Sequence, residues 1–173
     1  MAGKLGMGLL ETLLENLDRE LDLASTTIKD AALTGFTKGT ETGAITAAMS
    51  GRDIIVGPLA AGLAADSIFT LPTAASGLKY RFVYVGGAAD AHDFQINTGS
   101  DTNFFIGGVT QTDTDDGGDD AVSYYSNNSS NSRINVLTPG AGTTVDVYCD
   151  GTNWFLSGLV VSTTDTGVSL ADQ

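Results

Sequence analysis

The sequence predicts a mainly β protein: a jelly-roll-like sandwich or barrel of about eight antiparallel strands, with an N-terminal α-helix and an extended arm before it. Three observations carry this. The stretch from Ser67 to Gly86 sets two apolar, β-prone runs either side of a turn of small residues. In its second run Leu78, Tyr80, Phe82 and Tyr84 fall on one face and Lys79 and Arg81 on the other, the period-two pattern of a half-buried strand. Glycine numbers 22 in 173 residues, and Gly, Ser, Thr, Asn and Asp punctuate the apolar runs after Ser67 as the turns of an all-β domain would. Before that point the apolar spacing is helical instead.

In the helical part, from about Leu5 to Leu33, Met7, Leu14, Leu21 and Ile28 recur every seven positions. Leu10, Leu17, Ala24 and Ala31 take the complementary position, and acidic residues fill most of the rest. Ser25, Thr26 and Thr27 end or break this helix, and Gly35 stops the segment. Such a stripe needs cover from its own β-domain, from copies of itself or from a partner's groove. Residues 36–66 read as an arm or linker, rich in Gly, Thr and Ala, with Arg52–Val56 a candidate strand ended by Gly57-Pro58.

Residues 67–161 form the predicted β-domain. Its strands are Ser67–Leu71, Leu78–Val85, His92–Asn97, Asn103–Val109, Ala121–Ser126, Arg133–Leu137, Thr144–Cys149 and Asn153–Val160. Pro72 cannot donate to a ladder and closes the first strand, so the first two are expected to form a hairpin with Gly77 in its turn. Asp150-Gly151-Thr152-Asn153 is a short hairpin loop between the last two. Residues 162–173 read as a polar tail.

Composition limits the function. At 42% hydrophobic residues the chain has material for a real core. Its 21 acidic against 8 basic residues, a net charge of −13, repel phosphate backbones and anionic membranes, so neither nucleic acid nor membrane is expected as a partner. The N-terminus lacks the pattern of a secretory signal, and the apolar stretch Ile54–Ala65 is too short to span a bilayer, which predicts a soluble protein. Cys149 stands alone, which rules out an intrachain disulfide framework, and its alternation with Val145 and Val147 reads as buried.

Few residues suggest chemistry. His92, the single histidine, is flanked by Asp90 and Asp93, but no catalytic signature accompanies it and no enzyme is predicted. The acidic loop Asp113–Asp120 offers hard oxygen ligands at close spacing, with Asp113, Asp115 and Asp119 as the candidate Ca²⁺ ligands, although the EF-hand's twelfth-position carboxylate is replaced by Tyr124. No other cofactor is expected. Tyr124, Tyr125 and Trp154 are either core or interface aromatics or stacking surfaces for sugars.

The run Thr70-Leu71-Pro72-Thr73-Ala74-Ala75-Ser76-Gly77-Leu78-Lys79-Tyr80-Arg81-Phe82 resembles the opening of β-rich virion proteins of tailed bacteriophages. The likeness continues through Ala89–Ile96, through Gly107-Gly108-Val109 and its acidic loop, and through the closing Val145–Leu156; it covers roughly residues 67–160. It implies a capsid decoration (cement) protein, a homotrimer on the outer surface of the phage head that bridges major capsid protein subunits and stabilises the shell. The runner-up is a head- or tail-fibre module that binds host glycan. Under the first reading residues 1–65 anchor to the capsid, with Leu10, Leu14, Leu17, Leu21, Ile54 and Ile55 as contacts, and Tyr80, Phe82 and Trp154 serve the trimer or the core.

Overall fold

The computed structural model describes residues 43–57, 61–87, 92–114 and 121–173. The chain divides into units 1–34 and 35–173, and the described residues belong to the second. The helix expected at Leu5–Leu33, with Leu10, Leu14, Leu17 and Leu21, lies outside them. In chain order the strands are β1 (Gly43–Ala44), β2 (Asp53–Val56), β3 (Ser67–Thr70), β4 (Lys79–Tyr84), β5 (Phe94–Asn97), β6 (Phe105–Asp113), β7 (Ala121–Tyr125), β8 (Arg133–Val136), β9 (Thr144–Cys149), β10 (Trp154–Ser162) and β11 (Val168–Ala171). The helical element among the described residues is one 3₁₀ turn, Ala47–Met49.

The strands make two mixed sheets, one of five in the order β1-β3-β5-β8-β11 and one of six in the order β2-β4-β9-β10-β6-β7. From β1 to β6 the chain changes sheet at every step. Each second strand therefore returns to its sheet running the same way, which makes β1–β3, β3–β5 and β2–β4 parallel. The long β6–β10 pairing is parallel as well. The expectation of antiparallel strands is corrected on these four pairings. It was drawn from short turns, but a turn that crosses between sheets imposes no antiparallel neighbour.

The Ser67–Gly86 stretch shows the same correction. Its two runs are β3 and β4, but they lie in different sheets and form no hairpin. Leu71 N–H continues the β3–β5 ladder to the Asn97 carbonyl (2.9 Å), while Gly77 N–H bonds Cys149 in the other sheet (3.0 Å). Residues 72–76 thus span the layer between sheets, a distance of about 10 Å that a tight turn could not cover. Hairpins do form at β6–β7 and β9–β10. In the latter Asp150 Oδ1 accepts the N–H groups of Thr152 and Asn153, both at 2.8 Å.

One apolar core lies between the inner faces of the two sheets. Phe69 of β3 meets Phe82 of β4 at a centroid distance of 5.5 Å, and Tyr84 of β4 stacks on Phe94 of β5 at 6.5 Å. The expected alternation holds: Tyr80, Phe82 and Tyr84 are buried, whereas Lys79 and Arg81 face out. Cys149 is buried beside Val145 and Val147. The described residues of the 36–66 segment, read from the sequence as an arm, supply β1 and β2 to the sheets and Ile45, Ile54, Val56 and Leu63 to the core. The tail supplies β11, antiparallel to β8, with Val168 buried against the core. Buried Gln111 secures its approach by donating to the Thr164 carbonyl (2.6 Å) and accepting from Gly167 N–H (2.7 Å).

Candidate binding cleft on the six-stranded sheet

The outer face of the six-stranded sheet is organised by register. Asp53, Arg81, Asp146 and Ser157 stand opposite one another across β2, β4, β9 and β10. A second row runs Lys79, Tyr148, Phe155 and Ile106 across β4, β9, β10 and β6. All eight alternate with core residues on their strands, so all point away from the core. The loop entering β2 is held alongside β4: Gly51 N–H bonds the Lys79 carbonyl (2.8 Å), and Lys79 N–H bonds Ser50 Oγ (3.1 Å). That loop brings Arg52 to the rim.

Together these residues line a cleft of about 480 Å³. Its aromatic side is Tyr148 and Phe155, with centroids 6.2 Å apart, planes tilted by 43° and 47% and 42% exposure. Its polar side centres on Arg81, whose Nε lies 3.7 Å from Asp146 Oδ1 with both side chains about half exposed. A pair this long and wet contributes well under about 1 kcal/mol, so Arg81 can exchange partners at little cost. Arg52, Lys79 and Arg81 all line the cleft, leaving Arg133 as the one basic residue elsewhere among the described ones.

The residues singled out in the sequence fall elsewhere. Tyr80 and Phe82 are core, and Trp154 is fully buried with its ring 6.0 Å from Tyr80. Burial, and then the nearby Cys149 thiol, push the Tyr80 phenol above its ordinary 10.0, so it stays protonated and donates to the Thr46 carbonyl (3.1 Å). Tyr124 is half-buried and reaches the Asp165 carbonyl (3.3 Å), while Tyr125 is 74% exposed. Ile54 is wholly buried, and Ile55 is the member of that pair on the outer face. Asp113 ends β6, and Asp115 and Asp119 lie outside the described residues. Among the described residues no three His, Cys, Asp or Glu side chains gather as a metal set.

His92 Nδ1 lies 3.4 Å from Asp66 Oδ1. The Asp93 carboxylate is bound by β8 and the turn after it: one oxygen accepts Thr138 N–H (3.2 Å) and the other lies 3.5 Å from Asn135 Nδ2. Asp90 lies outside the described residues. Burial raises the Asp93 carboxyl above its ordinary 3.8, against the lowering effect of the Thr138 hydrogen bond and with further upward help from Asp66. The two N–H donors at Asn153 and Thr152 lower Asp150 instead. The pH consequences are opposite. Ionised Asp93 opposes folding, so its penalty grows as pH climbs from 3.8 through its raised folded value. The Asp150 contribution is present above 3.8 and is lost as pH falls through its lowered folded value. A carboxyl-detected NMR titration is expected to place the Asp93 midpoint above 3.8 and the Asp150 midpoint below it. The reverse order would remove the burial argument for Asp93.

The sequence reading missed Tyr148 and Phe155. The signal for them was present: each is out of phase with the buried residues of its strand, and the Asp150–Asn153 loop places them opposite one another. A β-protein with an aromatic and cationic cleft on one sheet face is what fold and site define. No protein-family model, curated protein or solved structure matches this chain.

Proposed function

We propose that the chain is a non-catalytic structural protein of a tailed-phage virion, a decoration protein that sits on the outside of the head as a homotrimer and reinforces the shell. In this reading the two sheets are a jelly-roll-like sandwich adapted by parallel crossings, the major capsid protein is its partner and no nucleic acid or membrane takes part. One observation supports it most: the exposed large hydrophobics Val122, Tyr125, Tyr148, Phe155 and Leu159 all belong to β7, β9 and β10 of the six-stranded sheet. Scattered apolar residues are ordinary, but Tyr125, Tyr148, Phe155 and Leu159 share the outward phase of their strands, with Val122 in the phase of buried Gln111, and four on one face suit contact with a partner. Val122 and Tyr125 on the edge strand β7, and Leu159 on β10, are the part of that set outside the cleft.

Quantitative mass spectrometry of purified particles tests this together with light scattering of the isolated protein. Copy numbers near that of the capsid protein and a mass of three times 17.8 kDa are expected. A few copies per particle would overturn the decoration role, and a monomer in solution would overturn the preassembled trimer. A second reading, the fibre module that binds glycan, is favoured by the exposed Tyr148–Phe155 pair beside Arg81.

A further inference from the structure

We propose that the cleft on the six-stranded sheet binds a carboxylated saccharide, with a sugar face against Tyr148 and Phe155 and the carboxylate on Arg81 and Lys79. This deepens the glycan reading and rests on it for the ligand class alone; where the protein sits on a particle does not enter.

The position of the cleft disfavours the commonest mode of peptide capture. Its floor strands β4, β9, β10 and β6 are interior to the sheet and paired on both sides, so an extended peptide finds a free ladder only along the outer edge of β2, at one end of the cleft. Over the floor, recognition runs through side chains. Two tilted rings, each more than two-fifths exposed, offer electron-rich faces to the polarised C–H groups of a sugar ring. A volume of about 480 Å³ lies in the range of small-ligand pockets and suits one or two sugar rings.

Charge narrows the class. The chain carries −13 overall, yet three of its eight basic residues meet here: Arg52, Lys79 and Arg81. Lys79 has no ion pair among the described residues. The long-range field of so acidic a protein repels a polyanion, whereas a ligand with a single carboxylate meets mainly the local cations. A ligand carboxylate gives Arg81 the two-pronged geometry that the 3.7 Å contact with Asp146 lacks. Asp53, Asp146 and Ser157 stand in the same row, and the two carboxylates accept hydrogen bonds without donating any. Phosphate brings only one or two O–H donors and no apolar face for the rings, and an acidic peptide side chain brings no hydroxyl donors to those acceptors. A saccharide brings both hydroxyls and a carboxylate.

Calorimetry on the full chain tests the assignment with cellobiouronate, its neutral counterpart cellobiose, tetraglutamate and inorganic phosphate. Cellobiouronate is expected to bind about tenfold more tightly than cellobiose, the size of one charge-assisted hydrogen bond. Arg81→Gln is expected to erase that difference while leaving cellobiose binding in place. Tyr148→Ala is expected to weaken both sugars. Both side chains are half exposed, so the variants should keep the wild-type amide spectrum, and amide shifts in the unmutated protein provide a readout free of any folding effect. Those shifts should concentrate on β4, β9 and β10. Equal binding of the two sugars overturns the carboxylate specificity and leaves the glycan reading standing. Absence of binding by either sugar, or tighter binding of tetraglutamate or phosphate, overturns both.

Discussion

Replacing Trp154 by alanine is expected to cost the fold about 3–5 kcal/mol, a large share of the roughly 5–15 kcal/mol by which domains are stable. The ring is among the largest fully buried side chains, and it opens β10 where that strand pairs with both β9 and β6. Its removal leaves Tyr80 without its aromatic neighbour and opens a cavity that paired strands on either side cannot close. Trp154→Phe makes a sharper comparison. The indole N–H is buried and has no hydrogen-bond partner among the described residues. Phenylalanine keeps most of the apolar contact and deletes a donor whose burial costs about 1–3 kcal/mol. The phenylalanine variant should therefore lose much less than half of what the alanine variant loses. Urea unfolding of the three proteins measures both differences. A loss under about 1 kcal/mol for Trp154→Ala would show that the ring does not hold the core together.

The difference between what could be read in advance and what could not follows from what alternation encodes. A period of two tells which side chains of a strand are buried, and it did so for Tyr80, Phe82, Val145, Val147 and Cys149. It does not tell which sheet a strand joins, because the inner faces of two opposed sheets have the same apolar pattern. For that reason β3 and β4 looked like neighbours although they face one another across the core. Strand β11 escaped for a different reason. Four residues with two large apolar side chains give too little pattern, and its place is set by long-range bonds such as those of Gln111 to Thr164 and Gly167. The cleft divides along the same line. The outward phase of Lys79 and Arg81 was legible, and the hairpin loop contained the register of Tyr148 with Phe155. The arrival of Arg52 depends on the Gly51–Lys79 and Lys79–Ser50 hydrogen bonds, which no local pattern announces.

Gly107→Ala is expected to damage the fold and the cleft together. Gly107 has φ +100°, a conformation that costs a side-chain-bearing residue roughly 1–3 kcal/mol. A β-carbon there would also stand 2.5 Å from the Leu156 carbonyl oxygen. That oxygen belongs to backbone in the parallel β6–β10 ladder, where Leu156 is the register partner of Gly107, so neither strand can shift without loosening the pairing. Gly142 isolates the first effect. Its φ is +97° and a β-carbon would meet nothing within 4 Å, so Gly142→Ala carries the conformational cost alone. Denaturant midpoints should therefore rank wild type above Gly142→Ala and Gly142→Ala above Gly107→Ala. Equal losses would mean that β6 and β10 give way without cost. Because Gly107 lines the cleft between Ile106 and Leu156, the same variant should disturb amide resonances on β10 and β9. Gly142→Ala should leave those near Tyr148 and Phe155 in place. The parallel β6–β10 pair then holds the core on one side and borders the Tyr148–Phe155 pair of β9 and β10 on the other.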